Sequence, residues 1–228
     1  YKIIIAPDIL LTDYLRVGGF SATLINSSII TLINIFIIYK LNLKINGSII
    51  AAIFALTGFS FFGKTIFNIW PLYLGGLLYA KYQGIPFRNI IVVIMFSTCL
   101  APVVSQMAFS SGLSLPCGLT WGLILGVTGG FIVTPLSAHL SKMHGGYNLS
   151  TVGFTGGVIG TIITSLLKSF GINIKQQLIL SSEYNVFFRY FLLIYFIFLI
   201  ILGYIINNKS FKGYGEIFKY FGKLVTDF

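Results

Sequence analysis

Between residues 58 and 65 the chain reads Gly-Phe-Ser-Phe-Phe-Gly-Lys-Thr, which matches the phosphate-loop pattern G-x-x-x-x-G-K-[ST] in full. In such a loop Lys64 would meet nucleotide phosphates and the Thr65 hydroxyl a magnesium ion. The surroundings argue against that chemistry. Phe59, Phe61 and Phe62 stand where the backbone would have to wrap charged oxygens, and Pro71 interrupts the helix that should follow. The five acids (Asp8, Asp13, Glu183, Glu216 and Asp227) lie in no strand-like run that could supply a second magnesium ligand. The match is read as a coincidence of composition.

Lys64 carries a different possibility. Asn68, four residues on, shares its face if the segment is helical. Gly63 and Pro71 bracket the pair, and a broken helix is where membrane proteins expose backbone to a solute or ion. Lys64, Asn68 and the Trp70-Pro71 turn are therefore site candidates, and a lysine there suits an anionic or carbonyl-bearing solute. The plainer alternative is that Lys64 snorkels to an interface from a helix end. Asn26, Asn34 and Gln106 lie inside charge-free runs. Such amides either bond a neighbouring helix or line a pathway, and Asn26 and Gln106 complete the set of pathway candidates.

Other residue types yield less. On a helix His139 and His144 would sit about 140° apart, which is poor metal geometry, and a loop role near Pro135 is expected for both. Asp13 suits a helix cap. Cys99 and Cys117 have neither metal nor disulfide spacing and read as small packing residues. No H-E-x-x-H, paired-aspartate or nucleophile-elbow motif occurs. No enzymatic activity, cofactor or metal is expected, and the acids are taken as too few and too peripheral for carboxylate chemistry.

The elements that must position these residues follow from composition. Of 228 residues, 56% are apolar and only 9% charged, with a mean hydropathy of +0.93. A soluble domain carries roughly 25% charged residues, so an ordinary soluble domain, a disordered segment and a coiled coil are excluded. The expected class is an all-α integral membrane protein whose partner is the lipid bilayer. The net charge of +10 comes from basic residues scattered singly between apolar runs. That is not the cluster phosphate tracking needs, and no nucleic-acid partner is expected.

A crossing of about 30 Å takes about 20 helical residues. Charge-free intervals of 23, 19, 16, 53, 25 and 19 residues follow Arg16, Lys44, Lys64, Arg88, Lys142 and Arg189. The interval of 53 holds two segments, broken near Ser110–Gly118, so about seven transmembrane or re-entrant segments are expected. Ile45–Gly63 and Thr65–Ala80 either cross or form a re-entrant hairpin. If every segment crosses, nine basic residues fall on one side and Lys64, Lys168 and Lys175 on the other. By the positive-inside rule the richer side is cytoplasmic. A composition heavy in Ile, Asn, Lys, Phe and Tyr fits an A/T-rich bacterial genome, and a multi-pass protein of the bacterial cytoplasmic membrane is expected.

Two echoes run through the chain. Gly19-Phe-Ser-Ala-Thr-Leu-Ile aligns with Gly153-Phe-Thr-Gly-Gly-Val-Ile, and Leu10-Leu-Thr-Asp-Tyr14 returns as Leu224-Val-Thr-Asp-Phe228. An odd number of crossings between the second pair would make this one half of an inverted repeat. On that reading residues 1–228 are a single membrane domain cut from a longer chain, the next repeat beginning near 224. Gly122, Gly126 and Gly130 are spaced by four and predict close helix packing. They also offer a face to a second copy or to the remainder of the same chain.

The run from Gly58 to Pro71, then Pro135-Leu-Ser-Ala-His139, then Gly146-Tyr-Asn148 leading into Gly153-Phe-Thr155, resembles a family. These are bacterial multi-pass proteins catalogued only as a domain of unknown function, common in Firmicutes, and the resemblance implies a membrane fold and no particular activity. Gly-Tyr-Asn before a glycine-rich helix is also faintly similar to urea-transporter channels, which implies two inverted halves with broken half-helices. Together these features lead to the expectation of a transporter or channel for a small solute. The alternative is a non-transporting structural subunit of a membrane complex. The purified protein is expected to retain no radiolabelled ATP on a filter, and retention would restore the phosphate-loop reading.

Overall fold

The computed structural model describes residues 1–8, 11–144, 150–172 and 178–219. The chain divides into two compact units, Tyr1–Leu180 and Ser181–Thr226. The Leu224–Phe228 echo, Gly145 and the Gly146-Tyr147-Asn148 run lie outside the described residues.

The first unit opens with a short strand β1 (Leu11–Thr12) and a one-turn helix α1 (Tyr14–Gly18). Asp13 caps α1 as expected, its carboxylate accepting from Leu15 N at 2.9 Å. Helix α2 (Phe20–Lys40) has 21 residues, about 32 Å at 1.5 Å each. Its amides turn inward, beside Ile30 and Ile38, while most of its other large apolar side chains face outward. Asn26, Ser27 and Asn34 are buried, whereas Ile25, Leu32 and Phe36 are 60%, 65% and 57% exposed. Water would not sustain that inversion, and hydrocarbon would.

Two short helices follow, α3 (Gly47–Phe59) and α4 (Trp70–Gln83). At 13 and 14 residues each is only about 20 Å long. Asn46 caps α3 by accepting from Ile49 N at 2.9 Å. Pro71 lies in the first turn of α4, where its missing N–H costs nothing, so it starts a helix instead of kinking one. Gly84 closes α4 with φ +66°.

The two form a hairpin that returns to the end it came from. Helix α3 runs antiparallel to α2, with Ser27 Oγ donating to the Thr57 carbonyl at 3.0 Å and the Thr31 and Thr57 hydroxyls 2.7 Å apart. At the hairpin tip Asn26 reaches the Ser60 and Lys64 carbonyls. Eight residues, or about 12 Å, further toward Lys40, Asn34 accepts from the Tyr73 hydroxyl of α4. Helix α4 therefore heads back toward the Lys40 end.

Helices α5 (Ile91–Ser97) and α6 (Ala101–Ser110) are joined by a 3-10 turn, Thr98–Leu100, into one interrupted rod of 20 residues. Helix α7 (Leu115–His144) has 30 residues, about 45 Å. Pro135 sits inside it, and His139 and His144 are on it. This corrects the expected loop role, because the helix continues through Pro135 as far as His144. The break expected near Ser110–Gly118 is confined to the four residues before Leu115. Helix α8 (Thr151–Ser169) starts beside the end of α7, with His144 Nε2 2.8 Å from Thr151 Oγ1. An unexpected parallel pairing joins β1 to β2 (Leu178–Ile179), matching Leu11 with Leu178 and Thr12 with Ile179.

Helix α7 is the spine. Gly118 and Gly122 lie against backbone carbonyls of Met107, Ala108 and Val104 on α6, and Gly126 and Gly130 against Pro71 and Leu72 on α4. A Cβ on Gly130 would stand under 3.0 Å from the Leu72 carbonyl, and one on Gly75 under 3.0 Å from that of Val127. These are backbone-to-backbone approaches, so no side chain can swing away.

In the second unit, helix α9 (Asn185–Ile206) has 22 residues, none buried. It spans about 33 Å, and residues such as Ile194 and Ile200 are 66% and 61% exposed. Among the described residues five helices, counting the interrupted rod, are long and apolar enough to cross a membrane. This is an all-α membrane protein.

Gly130→Ala and Gly75→Ala should each lower the thermal midpoint of the detergent-solubilised protein, with an overpacking cost of about 1–3 kcal/mol or more. Gly157→Ala, where an added methyl meets nothing within 4 Å, should leave it unchanged.

Candidate functional site

The hairpin tip, residues 60–69, is irregular backbone inside the bundle, and its polar groups must find partners there. Asn26 supplies two of them, its Nδ2 donating to Ser60 O at 2.8 Å and Lys64 O at 2.9 Å. Asn68 closes the turn on itself. Its Oδ1 accepts from Thr65 N at 2.8 Å, while the Thr65 hydroxyl accepts from the N–H groups of Phe67 and Asn68, each at 3.3 Å. Gly63 takes φ +82°, open to glycine without strain. Thr65 is thus engaged in turn formation, and Gly58 sits inside helix α3. The segment is a helix–turn–helix tip and not a strand–loop–helix phosphate cradle.

The same Asn68 amide leaves its own hairpin. Its Nδ2 donates to Asp8 Oδ2 at 3.1 Å, Ser105 Oγ at 2.9 Å and Gly63 O at 3.1 Å. Two hydrogens serve three acceptors, so one bond is shared. Asp8 is held from three sides: Tyr14 Oη donates to Oδ1 at 2.7 Å, Asn68 to Oδ2, and Gln106 Nε2 to the main-chain carbonyl at 3.0 Å. Its φ of +48° lies in the left-handed region, which Asp tolerates better than most residues. The Tyr14 amide donates to Phe61 O at 3.0 Å, tying the N-terminal segment to the tip a second time.

Beside this network is a cavity of about 190 Å³. Lys64, Asp8 and Thr12 line it, with Phe59 and Phe62 from the hairpin and Cys99 and Pro102 from the interrupted rod. The Lys64 Nζ stands 4.8 Å from the centre of the Phe59 ring. Lys64 is 3% exposed, and among the described residues its ammonium has no carboxylate or hydrogen-bonding partner. The interruption at Thr98–Leu100 faces the tip across this space. A 3-10 stretch within a longer helix is a frequent mark of a functional hinge.

Of the sequence candidates, Lys64, Asn68, Asn26 and Gln106 come together around the tip. Trp70 does not. It is 44% exposed and lines a separate outer groove with Leu74 and Leu123, because the first turn of α4 aims it away from the cavity. Asn34 serves as inter-helix glue, donating to Ile30 O at 2.8 Å and accepting from Tyr73. Cys99 is half-buried and Cys117 exposed, both free thiols.

The reading of the acids as peripheral is corrected for Asp8, which is 2% exposed. Sequence distance hid it: its partners Asn68, Ser105 and Gln106 lie far along the chain. Thr12, Tyr14 and Ser105 were missed for the same reason. Pro102, inside the charge-free run after Arg88, was the available signal that this span is broken.

The fold and the buried polar tip define a helical membrane protein with a hairpin folded back into its interior. The chain belongs to the family described as protein of unknown function DUF1576, which matches residues 1–169. That match covers the tip, the interrupted rod and α7. No curated protein and no solved structure matches the chain.

Burial pushes the Asp8 carboxyl up from 3.8 to about 6, against the opposing pull of hydrogen bonds from Tyr14, Ser105 and Asn68. A carboxyl raised on folding binds its proton more tightly in the native state, so its contribution to stability falls as pH rises from about 4 to about 6. The difference is on the order of 3 kcal/mol. Lowering the pH from 7.5 to 5 should therefore raise the unfolding midpoint of the wild type relative to Asp8→Asn. The variant keeps an acceptor for Asn68 and offers Tyr14 an N–H, as the protonated acid would, so its midpoint should be flatter over that range.

Proposed function

We propose that this protein is a multi-pass membrane transporter or channel for a small solute, with its site at the tip of a re-entrant hairpin. The observation that carries the reading is the cavity of about 190 Å³ against the partnerless Lys64 ammonium. A structural subunit would need only a dry, continuous core at that position. Discontinuous helices meeting near mid-depth are the arrangement in which membrane proteins offer polar backbone and side chains to a solute.

The depth supports this placement. Helix α4 begins level with Gly126, 11 residues and about 16 Å into α7 from Leu115. The basic residues agree with a hairpin as well. With α3 and α4 entering and leaving on one face, Lys40, Lys44, Lys81, Arg88 and Lys142 lie toward that face, and Lys64 leaves the opposite loops for the interior. That face is cytoplasmic by the positive-inside rule, in a bacterial cytoplasmic membrane. The Gly19 and Gly153 echoes begin α2 and α8, which run in opposite directions, as the two arms of an inverted repeat would. The alternative, a structural subunit of a membrane complex, draws support from α9, which is apolar beyond Arg189 and has no buried residue.

Two experiments test the proposal. In a Cys99→Ser, Cys117→Ser background, single cysteines at Lys44 and Gln83 should react with an impermeant thiol reagent from one face of a proteoliposome, and one at Leu113 from the other. Labelling of the 44 and 83 positions from opposite faces would replace the hairpin with two crossings. Proteoliposome uptake over a panel of small solutes should reveal a permeant, with flux falling about tenfold or more in Lys64→Met, the usual scale for losing a hydrogen bond to a charged group. Flux equal to that of empty liposomes for every solute would leave the structural-subunit reading.

A further inference from the structure

We propose that the cavity at the hairpin tip is a binding site for a small monovalent oxyanion, a short-chain carboxylate or its inorganic equivalent. In that site Lys64 Nζ is the counter-ion and the Thr12 hydroxyl a second donor. The proposal rests on the transport reading above and narrows its solute.

The chemistry begins with two unmet groups on one cavity. Lys64 is 3% exposed and lines the space, and among the described residues its ammonium is without an anion or acceptor. The Phe59 ring face at 4.8 Å is a weak substitute for the hydration an ammonium loses on burial. Thr12 is 2% exposed, and its Oγ1 is buried without a hydrogen-bond partner among the described residues. Buried polar groups are nearly always satisfied, so each orphan calls for a partner the protein itself does not supply. Thr134, the other such hydroxyl, does not line this cavity.

Asp8 does not fill the role. Its two carboxylate oxygens are engaged by Tyr14 and Asn68, and no ion pair joins it to Lys64. Its presence on the wall nevertheless limits the ligand's charge. An ammonium with a carboxylate on the same wall leaves little excess positive charge, so the site takes at most a single negative charge and disfavours a dianion. Size limits it further, since 190 Å³ is room for roughly six waters at about 30 Å³ each. Phe62 and Pro102 add apolar wall, which a short alkyl group tolerates and a larger polar solute does not.

Cys99 lines the cavity and reports on it. With Cys117→Ser it is the sole thiol of the chain, which has two cysteines. The rate of Cys99 alkylation by N-ethylmaleimide is measured in the purified full chain at constant ionic strength, with formate, acetate or nitrate against formamide or acetamide. Thermal unfolding is followed with the same solutes. The anions should slow alkylation and raise the unfolding midpoint, and the amides should do neither. Lys64→Met should abolish both effects and Lys64→Arg retain them. Thr12→Val should raise the anion concentration needed by about tenfold, the usual scale for one hydrogen bond to a charged group.

Equal effects of amides and anions would overturn the assignment, as would anion protection that survives in Lys64→Met. The wild-type comparison of anions with amides decides the point even if Lys64→Met fails to fold. If no anion acts on either readout while proteoliposomes take up a neutral solute, the anion assignment falls and the transport reading stands. If anions bind but no solute crosses, the assignment stands and the transport reading falls.

Discussion

The structure depends on one amide. Asn68 lies at the tip of a hairpin that has no right, by hydrogen-bonding arithmetic, to exist in the interior of a membrane protein. Irregular backbone there must satisfy every N–H and C=O without water. Asn68 accepts from the main chain of its own turn and donates to Asp8, Ser105 and Gly63. It thereby joins three elements distant in sequence: the N-terminal segment, the hairpin and the interrupted rod. An aspartate there would lose the donors and a leucine both functions.

Around that amide the fold uses side chains as substitutes for solvent. Asn26 covers two carbonyls of the tip, and Ser27 and Thr31 tie α2 to α3. These bonds connect parts of the chain whose outward faces are apolar, so the polar groups are spent inward. Among the described residues the Lys64 ammonium has no hydrogen-bonding partner and the buried Thr12 hydroxyl none, and both residues line the same small cavity. Their shared position on one cavity, which the equally unpartnered Thr134 hydroxyl does not line, is what favours an external ligand there.

Close packing makes the site rigid. Helix α7 carries glycine where α4 and α6 cross it, and the carbonyls of those helices occupy the space a methyl group would need. The start of α4 and the Pro102 turn of α6 are therefore both fixed against the same spine. The distance between the tip and the broken rod, and with it the cavity, is set by backbone contact and not by adaptable side chains. A hinge at Thr98–Leu100 would have to move against that constraint.

Composition and spacing alone were enough to read the all-α membrane class and the glycine faces, because scarcity of charge and helical spacing are local properties of the chain. It also placed Lys64, Asn68, Asn26 and Gln106 among the residues to watch, since polar groups in apolar runs stand out against their neighbours. Tertiary structure alone decided that α3 and α4 turn back, because two helices of about 20 Å fit either a thin crossing or a hairpin. It alone brought Asp8, Thr12 and Tyr14 to the tip and turned Trp70 away from it. Those outcomes depend on contacts between distant parts of the chain, such as Asn68 with Asp8 and Tyr14 with Phe61, and no local pattern encodes that.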